Sequence, residues 1–337
     1  MKNKLLVVVL ALSLLFCSFL SVLADGDKDT IGVLTLLNMS EEDYLVFKMA
    51  CIDAIKYLAE RGAVEVFHPG PDDLDPQFVF YDDLTTMLLG LNTGDIQKME
   101  VTQSTAEYLC AVNDTLSMDL IKDSSLEGFL QILTNRISEE FSFLMLEENE
   151  ALRDDFNAAI TAMQEDGTMD ALIREHITDV VSSGEIKAVL PEKKDGRDTL
   201  TVAVTGSLPP MDYIAADGSY AGFSTAVLAE IGKRLDKNIE LVTVDSVGRA
   251  AALVSGAADV VFWSRANAGS PAYILDEKER EAFIAEKSKN DTDEERAIMK
   301  TFDQAFPKEK RFSRDIPEGT IITKFYYRDF PVTVSLK

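Results

Sequence analysis

Between residues 198 and 265 the apolar positions switch in turn between a two-residue and a helical period, and this stretch organises the chain. Leu200–Val204 is β-branched and alternating, which predicts a strand. Pro209-Pro210 ends it in a rigid loop. Ser224 is a candidate cap for a helix over Thr225–Leu235, whose Ala226, Leu228, Ile231 and Leu235 share one face. Ile239–Val244 is a second strand, Ala250–Val254 a short helix stopped near Gly256, and Asp259–Trp263 a third strand. Strands alternating with helices predict a parallel sheet covered on both faces, with ligands beyond the carboxyl ends of its strands. That rule places Ser207–Tyr213 and Ser264–Asn267 on a ligand-facing rim.

The region before it repeats this grammar. Thr30–Leu37 reads as a buried strand, followed by a helix from Ser40 to about Arg61 and a short strand at Val64–Phe67. Gln77–Tyr81 is a strand, Asp82 a candidate cap, Leu84–Leu91 a helix, Ile96–Val101 a strand and Ser104–Val112 a helix. A weak internal echo links Met87–Val101 with Ala251–Trp263: each is a short helix, a terminal glycine and a strand. Glu140–Leu146 predicts a strand. Asn149–Gln164 predicts a helix buried through Leu152, Phe156, Ile160 and Met163, and Met169–His176 another beyond the Asp166-Gly167 break. Residues 182–198 read as a linker. Two charged helices are expected at Asp276–Lys287 and Asp293–Phe306, and Ile321–Leu336 has a strand pattern.

Composition narrows the class. With 337 residues and 46% hydrophobic content, two ordinary domains with real cores are affordable. A formal net charge of −25 makes nucleic acid an unsuitable partner. Residues 1–24 have a basic start at Lys2 and Lys4, an apolar run and a small-x-small end at Val22-Leu23-Ala24. They predict a secretory signal peptide cleaved near Ala24, so a secreted, extracellular or cell-envelope protein; an uncleaved anchor is the alternative. Cys17 follows the bulky Phe16, which does not suit lipid attachment. Cys51 and Cys110 could bridge in an oxidising compartment or stay as buried thiols. Two histidines in unrelated contexts give no zinc spacing, and no G-x-S-x-G turn occurs, so no cofactor, no metal and no catalytic role are expected.

The pieces LTVAVTG, PPMDY, DGSYAGF, AVLAEIGKRL and ALVSGAADVVF resemble, in order and spacing, the first lobe of bacterial extracellular solute-binding proteins of the amino-acid type, family 3. IGVLTLLNMSEEDYL, FYDDLTTMLLGLNTGDI and STAEYL resemble its second lobe, and the segment from Phe141 to Ile177 its closing strand and helices. The resemblance implies an α/β, periplasmic-binding-protein-like (type II) fold, with two lobes joined by crossing strands. It implies a small polar or amino-acid-like solute as ligand, an ABC importer permease as partner, and a monomer. The segments stand in an unusual order. A second-lobe-like region (25–146) and closing helices (147–181) precede the linker (182–198) and a first-lobe-like region (199–337) with a charged insert at 270–315. The chain therefore reads as one binding fold in circularly permuted order; two halves of a tandem pair are the alternative.

Carried over by position, the family's site falls on Asn38, Met39 and Ser40 at one helix start, Thr102 and Gln103 at another, and Leu208, Met211, Tyr213, Ser246, Trp263, Ser264 and Arg265 on the other lobe. The family's carboxylate-binding Arg is missing from Ala266–Pro271, and Thr102 stands where its ammonium-binding Asp would be. Arg265 is the expected substitute anchor, because a guanidinium offers forked donors matched to a carboxylate. A sensing module or a degenerate binder of the same fold is the alternative function. A dehydratase acting through Glu100 or Asp212 is the enzymatic one.

Overall fold

A computed structural model describes residues 30–35, 77–119, 137–185, 187–189, 191–215, 217–268, 316–329 and 331–337. The expected signal peptide, the helix expected from Ser40, the strand expected at Val64–Phe67, Cys51 and the two expected charged helices lie outside the described residues. The chain builds two sheets, and each owes an internal strand to the other half of the sequence.

The first sheet begins with β1 (Thr30–Leu34), β2 (Gln77–Tyr81) and β3 (Lys98–Thr102), all parallel, with β1 in the middle. Between β2 and β3 runs α1 (Leu84–Thr93), which buries Leu84, Met87 and Leu91. Its cap is Asp83, one residue later than the pattern suggested: the carboxylate accepts the Thr86 N–H at 2.9 Å. Gly94 ends it at φ 83°, a left-handed conformation that suits glycine. After β3 comes α2 (Gln103–Val112), then β4 (Leu116–Asp119), a short strand that the apolar pattern did not announce. The strand β14 (Pro331–Leu336), from the far end of the chain, fills the gap between β3 and β4 and runs antiparallel to both.

The second sheet has the order β10-β6-β11-β5-β12. Its strands β6 (Thr199–Val204), β10 (Asn238–Thr243) and β11 (Val260–Ala268) are parallel. Its inserted antiparallel strand is β5 (Ile137–Leu146), in register with β11 from Val261↔Leu144 to Ala268↔Ile137. The apolar run at 321–336 is three strands rather than one: β12 (Thr320–Ile322) and β13 (Tyr327–Asp329) pair with β5, and β14 leaves for the other sheet. Hydrogen bonds from Thr323 N–H to Phe143 O and from Tyr326 N–H to Phe141 O keep the chain on β5 between β12 and β13. A small third sheet joins β7 (Ser207–Leu208), β8 (Asp212–Ile214) and β9 (Tyr220–Ala221).

The helices after β5 are α3 (Glu150–Glu165), α4 (Thr168–Ile173), a π-turn over Arg174–Thr178, and α5 (Asp179–Ser183). They pack on α6 (Phe223–Arg234), where Arg234 Nη2 donates to Asp166 Oδ2 at 2.8 Å and to Thr168 Oγ1 at 3.0 Å. Hydrogen bonds from the Thr168 side chain and N–H, and then from Arg234, hold the exposed Asp166 carboxyl down at about 2. At its far end, α5 packs on α2. Residues after α5 are no free tether: Val189 N–H bonds Tyr220 O at 2.7 Å, and Lys194 N–H bonds Asn238 Oδ1 at 2.8 Å. The other face of the second sheet is covered by α7 (Gly248–Val254), through Ala252 and Leu253.

One apolar core is continuous across both sheets, from Leu34 and Met99 in the first to Val202 and Val260 in the second. Phe143 of β5 sits in it, edge-on to Phe156 of α3 at 5.3 Å and stacked on Tyr326 at 4.8 Å between ring centroids. Both phenylalanines are fully buried. Close-packed interiors do not refill a ring-sized void, so Phe156→Ala should cost about 3–5 kcal/mol. Urea unfolding measures this; a loss below about 1 kcal/mol, the range of ordinary surface changes, would mean α3 is not docked on β5.

Candidate functional site

The site forms beyond the end of β6, beside Phe262–Ser264 within β11. After Val204 the chain turns through Thr205 and Gly206, and the turn is tied by Asp212. The N–H groups of Thr205 and Gly206 donate to Asp212 Oδ2 at 2.7 and 2.9 Å, and Thr205 Oγ1 donates to the same oxygen at 2.8 Å. Beyond β9 the loop passes under the start of α6. Phe223 N–H bonds Pro210 O and Ser224 N–H bonds Met211 O, both at 2.9 Å. The helix therefore begins one residue before Ser224, with Gly222 as its cap residue. Gly222 has φ 106°, and a Cβ there would collide with the Met211 carbonyl, so this position requires glycine. These two amides bond the loop carbonyls, which weakens the expectation that this helix start holds an anion.

Arg249 reaches the same place from α7. It is 3% exposed, its Nε donates to Ser246 O at 3.0 Å, and its guanidinium lies 4.9 Å from the Trp263 ring centroid. Burial lowers its pKa to about 10, opposed by the charge of Asp212, so it remains a cation at neutral pH. Burial pushes the Asp212 carboxyl upward, opposed by its hydrogen bonds and by Arg249. Asp212 is 5% exposed, and its second oxygen, Oδ1, has no hydrogen-bond partner among the described residues.

Between these groups lies a small pocket open to solvent, with room of about 30 Å³. Thr205, Asp212, Ser224, Arg249 and Ser264 give it polar walls; Phe141, Leu208, Met211, Phe262 and Trp263 give it apolar ones. At its back, Tyr326 donates to Ser224 Oγ at 2.8 Å, and burial raises the phenol's pKa, which keeps it a donor.

Of the residues expected from the sequence, Leu208, Met211, Trp263 and Ser264 line this pocket. Ser246 does not line it, but its carbonyl positions Arg249. Tyr213 lies on β8, within electrostatic reach of Tyr108 on α2. Thr102 is fully buried and donates to Thr105 Oγ1 at 3.1 Å, while Gln103 Nε2 donates to Glu107 Oε1 at 2.6 Å. The start of α2 is capped from far away: Asp329 Oδ2 accepts the Ser104 N–H at 3.0 Å and its hydroxyl at 2.5 Å. The backbone of Arg265 pairs with Glu140, and its side chain lies outside the described residues, as do Asn38, Met39 and Ser40. Position-by-position reading missed Phe141, Thr205, Ser224, Arg249 and Phe262. Asp212 entered it only as a general-acid candidate. Charged residues inside an apolar-patterned segment, Asp212 and Arg249 among them, were the available signal. Among the described residues no cluster of His, Cys, Asp or Glu is placed to hold a metal ion, and no helix is long and apolar enough to cross a membrane.

The stretch that carries nearly all of this pocket also has a sequence match. Residues 200–267 match the bacterial extracellular solute-binding proteins, family 3. Over these residues the chain resembles this family, and its fold is α/β, with two sheets joined by crossing strands. Among solved structures, it is similar to a zinc-bound ligand-binding component of an ABC-type import system from Staphylococcus aureus (10% identity, TM-score 0.36), covering 91% of this chain and 65% of that one. It is also similar to a putative L-cystine ABC transporter protein from Listeria monocytogenes (11%, TM-score 0.32), with coverage of 92% and 82%. A third is a phosphate-binding protein of a phosphate ABC transporter from Streptococcus pneumoniae (10%, TM-score 0.30), with coverage of 92% and 88%. The chain thus spans just under two thirds of the length of the Staphylococcus aureus protein. No curated protein matches it.

Arg249 and Asp212 are both buried, and the charge of each favours that of the other, so losing one leaves the other harder to keep charged. Arg249→Met should therefore destabilise strongly on its own, and adding Asp212→Asn should return part of the loss. A double-mutant cycle by urea unfolding measures the coupling. Simple additivity of the two changes would dissolve the pair.

Proposed function

We propose that this protein is a secreted solute-binding protein that captures a small polar or amino-acid-like solute and presents it to an ABC importer. The observation that carries the reading is the pocket beyond the carboxyl end of β6, where α/β sheets take ligands. Its lining is largely apolar with a few convergent polar groups, the composition of a small-molecule site, and its room of about 30 Å³ would have to widen to take a solute. The family match over residues 200–267 supports the same reading. Arg249 and Asp212 are its charged members, and Arg265, one residue beyond Ser264, is proposed as a further contact. The proposal includes cleavage near Ala24, a monomer, no role for nucleic acid and no catalysis.

We further read the chain as one binding unit in permuted order. Support comes from the packing of α3 and α4 on α6, and from the single residue that separates β13 in one sheet from β14 in the other. A binder that has lost its ligand is the rival reading, favoured by the absence of the family's Arg from Ala266–Pro271.

Trp263 is the sole tryptophan of the chain and lines the pocket, so its emission reports occupancy there. A panel of amino acids, polyols, sugars, amides and amines should contain a solute that raises the melting temperature and shifts Trp263 emission together. At 100 times its Kd such a ligand adds about 2.7 kcal/mol to stability. A panel that moves neither signal favours the degenerate binder; a melting shift with unchanged emission places the ligand elsewhere.

A further inference from the structure

The room left in the pocket, about 30 Å³, takes a water or two and no solute, so a wall must give way before anything is captured. The walls differ in what holds them. Phe141, Phe262 and Trp263 belong to β5 and β11, which pair along their length inside the second sheet. Met211 and Asp212 lie in a loop bound by the Thr205 and Gly206 amides and by the first amides of α6. Arg249 is held differently. It stands on α7, a helix of 7 residues, and the neighbouring Val247 and Val254 are 77% and 73% exposed. Its head reaches the pocket on a long stem with many rotamers.

That head sits as a bound cation would. The guanidinium carbon lies over the Trp263 ring, 4.9 Å from its centroid. Nε donates to Ser246 O at 3.0 Å, and Nη1 lies 3.5 Å from Phe262 O. Asp212 lines the same pocket, and its charge favours the cation. An aromatic face, backbone carbonyls and a carboxylate are the groups by which proteins hold a planar cation. Resting on the solute-binding reading above, we propose that this place is a subsite for a planar cation, a guanidinium or amidinium, and that Arg249 fills it from within. A tethered group competes at an effective concentration of about millimolar or more, so an outside cation gains the place only when Arg249 withdraws.

The test removes the tether. Arg249→Ala deletes a stem and head whose atoms ethylguanidinium reproduces. The purified full chain, unmodified and as Arg249→Ala, is titrated with ethylguanidinium, with its neutral isostere N-ethylurea and with propylammonium. Trp263 emission and the melting temperature are read together. Arg249→Ala should bind ethylguanidinium at least about tenfold tighter than it binds either other probe, and at least about tenfold tighter than the unmodified chain does. Its melting temperature should rise with ethylguanidinium alone. If Arg249→Ala does not fold by itself, refolding is repeated with each probe present, and Arg249→Gln, which keeps a shorter polar side chain, is taken through the same series. Recovery of folded protein by ethylguanidinium and not by N-ethylurea supports the subsite. A folded variant that binds ethylguanidinium no better than N-ethylurea, or no better than the unmodified chain, would overturn the proposal. Two variants that fold with no probe would also overturn it and make Arg249 a structural cation. The solute-binding reading is judged apart from this, by the response of the unmodified chain to the wider solute panel, and stands or falls on that response whichever way the variants behave.

Discussion

Strand exchange between the two halves is the constraint from which the rest of the structure follows. An internal strand of a sheet must satisfy its hydrogen bonds on both edges. The first sheet is interrupted between β3 and β4 unless β14 arrives from the end of the chain. The second has no partner for the outer edge of β11 unless β5 arrives from the first half. Charged residues cluster at the crossing. Arg328 of β13 donates through Nε to Glu140 of β5 at 2.9 Å, and Asp329 beside it caps α2 of the first sheet. Glu140 and Asp329 are both buried. Buried pairs of this sort add little net stability, but separating them is expensive, so they penalise arrangements without the crossing.

The pocket inherits its shape from that crossing. Phe141 of β5 enters its wall because β5 lies beside β11, and Tyr326, on the segment between β12 and β13, reaches Ser224 at its back. The loop that closes the other side is fixed locally, by Asp212 below and by the first amides of α6 above. Arg249 and Asp212 are the ionisable residues lining the cavity among the described residues, while the protein as a whole is strongly acidic.

How far the sequence could be read depended on the range of the interactions. The longer strands and helices from Thr199 to Trp263 were legible close to their starts, because alternation and helical spacing are local signals and the family's pieces lie there in order, while the short strands β7, β8 and β9 were not. Capping was off by one at the first helix, Asp83 for Asp82, and by two at α6, Gly222 for Ser224. Long-range partners gave no signal. Ser104 is capped by Asp329, 225 residues away, and Phe141 becomes a pocket wall only through pairing with β11. The division of 321–336 into three strands was invisible for the same reason, since each piece alternates in the same way. The site was half legible. Leu208, Met211, Trp263 and Ser264 follow from the rule that ligands sit at strand ends. The Asp212–Arg249 pair required knowing that α7 and the β7–β8 loop converge.

If each sheet depends on a strand from the other half, the two cannot unfold separately. Unfolding in urea, followed by Trp263 emission in the second sheet and by hydrogen exchange at the β1 and β3 amides in the first, tests this directly. The account predicts one transition with a common midpoint and a common free energy of opening. Exchange at β1 and β3 that runs to completion while Trp263 keeps its native emission would contradict it.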